Sequence, residues 1–374
     1  MKSVFVIMIA VFTALAAYVA VRGSQVFRDI PIARNTYLVA TVLMYVFLIG
    51  GMIIGMFSTA PIAKTIAFIG HTSLVVFLYL IISFLLVDIV RLTNYFVHFA
   101  PEGMFVFRKA AFAASIFIIA ITLFIGNYKF NHPKIVNIEL SLHDKPAQNK
   151  ELRIVAASDI HLGVSIDKKR LQKYVKLINE QHPDIVLLAG DIFDNVPAPV
   201  IKQNMNGDLR KIEAPLGVYA VPGNHEYIGR DIEKAVEYLQ SANIHVLRDS
   251  VALIDDDFYL VGRDDRMNHN RKTLSQLMLE IDRSKPVIML DHQPYHLEEA
   301  EAAGVDLQLS GHTHYGQVWP VTWITRSMYE HAYGYLEKGD TKYWISSGLG
   351  IWGGKFRIGS RSEYVVAKIF STME

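Results

Sequence analysis

Apolar residues follow two contrasting patterns that divide the chain. In the first third, four long apolar stretches cover residues 4–21, 37–57, 66–90 and 110–125. Each approaches or exceeds the roughly 17–25 residues a helix needs to cross a bilayer. Their few interruptions are small or weakly polar, such as Gly50, Gly51, Gly55 and Ser83, and no polar stripe runs along them. Short polar turns separate them, carrying Arg28, Pro31 and Arg34, then Pro61 and Lys64, then Arg91, Pro101, Arg108 and Lys109. A soluble bundle would show a polar face on each helix, so the pattern predicts four transmembrane helices within residues 1–130. No small-residue cleavage site follows the first stretch and three more come after it, so it reads as an uncleaved anchor. His71 and Asp88 fall near the ends of the third stretch, where ionisable groups are usually interfacial.

The second pattern begins near residue 131. Residues 135–142 alternate like a strand, and residues 143–150 form a polar connection around Pro146, so 131–150 reads as a linker carrying a strand. From 151 to 374 the apolar runs are short. Runs at 152–158, 185–189, 218–221, 287–290 and 307–310 read as buried strands. Helical spacing appears at 169–180 (Leu171, Val175, Ile178), 232–239 and 274–281. Further strands are expected at 243–247, 251–254, 258–261, 343–346 and 364–369. Strand–helix alternation mixed with consecutive strands predicts an α/β domain with more than one sheet or one large mixed sheet.

Composition refines this picture. Of 374 residues, 51% are hydrophobic, with the excess in the first third. A formal net charge of +1 argues against a protein built around nucleic-acid phosphates, so no nucleic-acid partner is expected. Cysteine is absent, which excludes disulfides, thiolate zinc sites and cysteine nucleophiles. Arg22, Arg28, Arg34, Arg91, Arg108 and Lys109 flank the first and third connections, against Lys2, Lys64, Lys129 and Lys134 on the other side. The positive-inside rule therefore places the second domain outside the cytoplasm of a cell membrane.

Each of the first five runs leads directly into a short polar segment: Asp159-Ile-His161, Gly190-Asp191-Ile-Phe-Asp194, Gly223-Asn224-His225-Glu226, Asp291-His292 and Gly311-His312-Thr-His314. Any one of these has an ordinary reading as a polar turn. Together, in order, each after a strand, they bring hard oxygen and imidazole ligands to one sheet edge, where α/β folds assemble sites. Two divalent ions sharing a carboxylate would clamp a phosphoryl group and acidify a water. His182, His245 and His269 lack metal spacing and read as surface or packing residues, whereas His296 and His331 lie nearer the motifs. Tyr315, Trp319, Trp323, Tyr333, Tyr335 and Trp352 cluster after the last motif, as core or as membrane-interface aromatics.

These five segments resemble, in order and spacing, the blocks of the calcineurin-like metallophosphoesterase superfamily, from about residue 152 to the end. Finer features, Pro222-Gly-Asn-His-Glu-Tyr227, Gly311-His-Thr-His-Tyr-Gly-Gln317 and Ser347-Gly-Leu-Gly350, are similar to its bacterial membrane-associated branch related to the YkuE and YaeI phosphodiesterases. One departure is Tyr315, where that branch usually has glycine after the last histidine. The resemblance implies two mixed β-sheets packed face to face with flanking helices, here behind four transmembrane helices. It also implies one ion on Asp159, His161, Asp191 and His314, and a second on Asp191, Asn224, His292 and His312. Asp191 would bridge the ions, His225 would contact phosphate and act as general acid, and Asp194 and Glu226 would orient their neighbours. Mn, Fe and Zn suit this ligand set equally. The reaction implied is phosphoester or phosphodiester hydrolysis by metal-bound hydroxide. Tethering points to a lipid or lipid-linked phosphorylated substrate through effective concentration. The rivals are a tethered phosphatase for soluble nucleotides or phosphoproteins, and a signalling or transport protein with a phosphoesterase-like binding module. No residue pattern identifies a protein partner.

Overall fold

The computed structural model describes residues 2–54, 60–100, 103–141 and 151–370. The connection expected at 143–150, Gly55 and the end of the second apolar stretch lie outside the described residues. The chain divides into two compact units, Met1–Gly126 with Gly353–Lys355, and Asn127–Trp352 with Phe356–Glu374.

The first unit contains α1 (Lys2–Val26), α2 (Pro31–Ile54), α3 (Pro61–Val97) and most of α4 (Met104–Asn131). All four are long and apolar enough to cross a membrane. The helices outrun the apolar stretches that predict them. α3 has 37 residues against the 25 of its stretch at 66–90, because hydropathy marks the lipid-facing part while the backbone helix continues through polar flanks. α3 ends where His98 turns left-handed and its N–H bonds back to the Asn94 carbonyl. α2 and α3 meet at Gly51 and Gly70, whose Cα atoms face each other so closely that a Cβ on Gly70 would fall 2.3 Å from the Phe47 carbonyl oxygen. Such small-residue contacts replace the hydrophobic effect between helices in lipid.

Among its described residues the second unit has twelve strands: β1 (Lys134–Ser141), β2 (Glu151–Ala157), β3 (Ile185–Ala189), β4 (Val218–Val221), β5 (Ile244–Val246), β6 (Ser250–Ile254), β7 (Phe258–Gly262), β8 (Val287–Leu290), β9 (Leu307–Ser310), β10 (Gly334–Lys338), β11 (Thr341–Ile345) and β12 (Glu363–Phe370). They form two six-stranded sheets, in the orders β1-β12-β2-β3-β4-β5 and β10-β11-β9-β8-β7-β6. β2 to β5 run parallel, as do β7, β8, β9 and β11, while β12 against β2, β6 against β7 and β10 against β11 are antiparallel. β1 forms the outer edge of the first sheet beside β12.

Alternation along the strands explains the layering. Ile154 and Ala156 of β2, Leu187 and Ala189 of β3, Leu260 of β7, and Ile288 and Leu290 of β8 share one core between the two sheets. Their sequence neighbours Val155, Ala157, Val186 and Leu188 face the opposite way. There they pack against α5 (Lys168–Asn179), which buries Leu171, Tyr174, Val175 and Ile178 at helical spacing. Asp167 caps that helix by accepting from the Arg170 amide at 3.2 Å. The short helices α6 (Ala198–Lys202) and α7 (Asn206–Leu209), and α9 (Ile232–Gln240), join the same layer with Val200, Leu209, Ala235 and Leu239, and α8 (Asn224–Ile228) opens directly after β4. The outer face of the second sheet, with Val261, Val287 and Met289, is covered by α10 (Leu274–Leu277) and α11 (Leu297–Ala303). The helical pattern at 274–281 resolves into α10 plus a 3-10 turn, and α12 (Val321–Met328) follows the last histidine motif. The sequence reading missed β10, whose Tyr335, Glu337 and polar ends hide its alternation.

Because Leu187 fills the dry layer between the sheets, Leu187→Ala should destabilise the protein by about 2–5 kcal/mol in urea unfolding of the detergent-solubilised chain. Leu253→Ala, at a 44% exposed site on β6, should stay within about 0.5 kcal/mol of wild type.

Candidate metal centre

The parallel strands of both sheets end on the same edge, and the polar segments leave from those ends. Asp159 and His161 follow β2, Asp191 follows β3, and Asn224 and His225 open α8 after β4. The second sheet adds His292 after β8 and His312 and His314 after β9. The turns are stitched to one another by backbone bonds: the amides of Asp159 and His161 donate to the carbonyls of Gly190 and Asp191, both at 3.0 Å, and Gly311 donates to His292 at 3.0 Å. Asp159, His161, Asp191, His312 and His314 all have left-handed backbones, with φ between 46° and 69°. For non-glycine residues this conformation is held only where the surroundings impose it.

Three overlapping trios result among the described residues: Asp159, His161 and His314; His161, Asp191 and His225; and Asp191, His292 and His312. Within each trio the candidate ligand atoms lie within 4.8 Å of one another. Asp191 is 1% exposed and belongs to two trios. Its Oδ1 accepts from the His225 amide at 2.9 Å. Its Oδ2 lies 3.1 Å from His292 Nε2, 3.8 Å from His161 Nε2 and 4.0 Å from His225 Nε2. Asp159 accepts from the His312 amide and from the Ser158 hydroxyl.

The residues fit divalent cations on their own geometry. His292 Nε2 and Asn224 Oδ1 are buried without a hydrogen-bond partner among the described residues, although Asp191 Oδ2 is only 3.1 Å from the former. His161 Nε2 and His314 Nε2 stand 3.0 Å apart. Lone pairs from a carboxylate, an amide oxygen and several imidazoles that converge without satisfying one another are a donor set for a borderline-hard cation. The far sides of the rings are oriented: His292 Nδ1 meets the Ala189 carbonyl at 2.8 Å, and His161 Nδ1 faces Asp194 Oδ1 at 3.6 Å.

Electrostatics divides the imidazoles. Burial opposes charge on His292, yet the adjacent Asp191 carboxylate overrides it and holds the ring well above the usual histidine range. Asp191 in turn is pushed up by burial but held well below the carboxylate range by His292. Burial brings His312 down to about 3, and the charge at His292 acts in the same direction. His314 is also held well below its usual value by burial and by the charge at His161. Two rings are thus kept neutral and ready to donate lone pairs.

Asp194 and Glu226 serve the frame. Asp194 presents its carbonyl to His225 Nδ1 at 2.7 Å. Buried Glu226 accepts from the amides of Phe193 and Gly223 at 2.8 and 2.7 Å. Burial, with the Asp191 charge, raises Glu226 to about 7. Asp291 pairs with Arg271 and faces away from metal duty. His245 stacks on Tyr219, and exposed His296 pairs with Glu298 at 3.2 Å.

Several neighbours of the site escaped sequence reasoning. Arg357 is fully buried and donates to the carbonyls of His314, Gly348 and Gly350 at 3.1, 3.1 and 2.6 Å. Tyr329 places its ring 6.1 Å from His312, and Trp352 places its ring 6.4 Å from His225. None of these follows a strand end in a recognisable motif, so only the pattern Ser347-Gly-Leu-Gly350 hinted at the Arg357 contacts. Tyr315 has φ 49° and ψ 41°, which explains why glycine suits this position. Here the strained conformation is braced by stacking on Tyr333 at 4.7 Å and by Arg326 over the ring.

Gly223 has no room for a side chain, because a Cβ there would stand 2.2 Å from Asp191 Oδ1, 2.5 Å from the Asp191 backbone nitrogen and 2.8 Å from the His292 ring. Its backbone is one that any residue adopts, so the effect of Gly223→Ala comes from the shift it forces on the Asp191 turn, which should also lower the melting temperature. Divalent-ion affinity, measured calorimetrically on chelator-stripped protein, should fall by about 10–100-fold, as it does when supporting contacts are lost.

Residues 152–316 match the family described as calcineurin-like phosphoesterase. A transmembrane protein with metallophosphoesterase domain from Danio rerio is 32% identical over 246 residues, 62% of this chain and 56% of that protein. An uncharacterised metallophosphoesterase of Campylobacter jejuni is 28% identical over 273 residues, 71% of this chain and 70% of that protein. An uncharacterised metallophosphoesterase of Aquifex aeolicus is 33% identical over 235 residues, 60% of this chain and 88% of that protein. The chain spans little more than half the length of the Danio rerio relative. With this likeness and a cluster of residues that could hold metal ions at one sheet edge, the chain belongs to the calcineurin-like metallophosphoesterases, a family of phosphoester hydrolases.

Proposed function

We propose that this protein is a membrane-anchored phosphoesterase that uses two divalent ions to hydrolyse a phosphoester of a lipid or lipid-linked substrate. The observation that carries the reading is that Asp191 belongs to two of the three trios among the described residues and is linked to the third, with Asp159 and His314, through His161. In this reading Asp159, His161, Asp191 and His314 hold one ion, and Asp191, Asn224, His292 and His312 hold the other. Bound ions supply Lewis-acid stabilisation of the phosphoryl oxygens and a lowered pKa for the attacking water. The chain's own residues do the rest. Asp194 and Ala189 carbonyls fix the tautomers of His225 and His292, so that each Nε2 points into the site. His225 Nε2, with its side chain 14% exposed, lies at the mouth and carries the proton to the leaving oxygen. Buried Arg357 braces the His314 turn and adds positive charge next to Asp159.

The lipid part of the proposal draws on the face of α12. Thr322 and Thr325 turn inward, while Trp323, Ile324 and Met328 are 62%, 58% and 61% exposed. Trp319 packs edge-on to Trp323, and Gln317 ties this segment to Trp352 beside His225 by a 2.9 Å bond. Large exposed apolar groups, tryptophan above all, suit the interface of a bilayer. The arginine-rich first and third connections support placing this domain outside the cytoplasm, by the positive-inside rule.

Purified protein reconstituted with Mn, Fe or Zn should hydrolyse an aryl phosphodiester, and Asp191→Ala should abolish turnover. His225→Gln should bind ions with unchanged stoichiometry while kcat falls by about 100–10,000-fold; full activity in that variant would remove His225 from proton transfer. Replacing Trp323 and Ile324 together by Ser should cut turnover of vesicle-embedded lipid phosphodiester by about 10-fold or more and leave the soluble aryl ester untouched. Equal effects on both substrates would favour a soluble one.

A further inference from the structure

Two imidazoles of the centre have contrasting surroundings. His225 shares one trio with Asp191 and His312 shares another, so Asp191 links them. On the His225 side, the Trp352 ring stands 6.4 Å from the imidazole, and Trp352 is 48% exposed. Gln317 fixes its place: Nε2 donates to the Trp352 carbonyl at 2.9 Å, and Oε1 accepts from the Trp352 amide at 3.3 Å. Gln317 is itself held. Its amide donates to the His314 carbonyl at 3.0 Å, and its carbonyl accepts from the Ile358 amide at 3.0 Å and the Ser360 hydroxyl at 2.9 Å. An indole clamped by its backbone and left half exposed beside a proton donor offers apolar surface to a ligand.

The His312 side is polar. The Tyr329 ring lies 6.1 Å from His312, its hydroxyl meets that of Tyr295 at 3.1 Å, and the Arg266 guanidinium lies 4.4 Å from the Tyr295 ring centre. α12 joins the two surroundings, since Gln317 precedes it and Tyr329 follows it directly. Its eight residues span about 12 Å at the helical rise. Trp319, Val321, Trp323 and Ile324 are exposed towards the Gln317 end. Of the exposed apolar side chains between Trp319 and Tyr329, only Met328 lies at the other end, flanked by exposed Arg326 and Glu330.

We infer that a phosphodiester lies across the centre with its apolar arm against Trp352 and its polar arm against Tyr295 and Tyr329, and that the bond broken is the one to the apolar arm. The inference rests on the hydrolytic reading above, with His225 as proton donor. The leaving oxygen has to receive that proton, so the arm beside His225 is the one that departs. The oxygen of a water molecule bonds to phosphorus as the bond from phosphorus to the apolar arm's oxygen breaks. The electron pair of the broken bond stays on that oxygen, which takes the His225 proton. The attacking water releases a proton to solvent, from which His225 is reprotonated. The products are an apolar alcohol and a phosphorylated polar group. The opposite orientation would instead give an apolar phosphomonoester and a free polar alcohol.

Decyl glyceryl phosphate, a diester with two alkyl arms of similar leaving ability, separates the orientations. The purified full-length protein, loaded with Mn, is given this ester below its micelle concentration in heavy-oxygen water, and the products are counted by mass spectrometry. Decanol and isotope-labelled glycerol phosphate should exceed decyl phosphate and glycerol by about 10-fold. Trp352→Ala should bring the ratio close to one while hydrolysis continues, and Trp352→Phe should preserve it. The ratio is internal to each sample, so partial unfolding of a variant does not imitate the result. Equal products from the wild type, an excess of decyl phosphate, or an unchanged ratio in Trp352→Ala would overturn the inference and leave the hydrolytic reading standing. So would inertness of this ester in protein that turns over the aryl diester. Failure to turn over either ester would remove the hydrolytic reading, and this inference with it.

Discussion

Asp191 is a carboxylate buried where two sheets meet, and the rest of the catalytic domain is arranged to make that burial tolerable. An ionised group in such a place is stable only if charges and donors surround it. The first sheet supplies the turn that carries Asp191 and the His225 amide on one oxygen, and the second sheet supplies His292 against the other. Neither sheet alone would hold the charge. The dry layer of Leu187, Leu260, Ile288 and their neighbours is therefore also what sets the spacing of the ligands.

The same edge stores strain. Five candidate ligands and Tyr315 occupy left-handed backbone, a conformation that costs about 1–3 kcal/mol per residue outside glycine. That cost is borne by three continuous apolar layers, one between the sheets and one on each outer face. It is concentrated where sharp turns must aim side chains back across strand ends. Arg357 shows how the strain is held, since one buried guanidinium ties the His314 turn to the Gly348–Gly350 turn through three carbonyls. Tyr315 shows the alternative, in which stacking on Tyr333 does what a glycine would otherwise do by lacking a Cβ.

Charge pairing also organises the membrane unit, where the paired side chains are only partly exposed. Asp88 gathers Arg22 and Tyr18 of α1 and Arg91 of its own helix α3, and the close Gly51–Gly70 approach joins α2 to α3. Both units thus rely on a single carboxylate that brings cationic or ionisable groups from separate elements together.

The sequence by itself determined the division into membrane and α/β parts, because apolar run length and period depend only on local backbone geometry. It also determined which strands end in candidate ligands, since Asp159, His161, Asp191, Asn224, His292, His312 and His314 each lie in a short polar segment just after an apolar run. Tertiary structure decided what periodicity does not carry. Periodicity left one sheet or two open; the family resemblance implied two, which the structure bears out, and only the tertiary packing showed that Asp191 lies at the overlap of two trios. The packing also decided the roles of Arg357, Tyr329 and Trp352, which reach the site from distant turns with no motif of their own. Asp88, near the end of an apolar stretch by hydropathy, proved to lie well inside a longer helix, because helix ends are set by backbone bonding and not by where lipid begins.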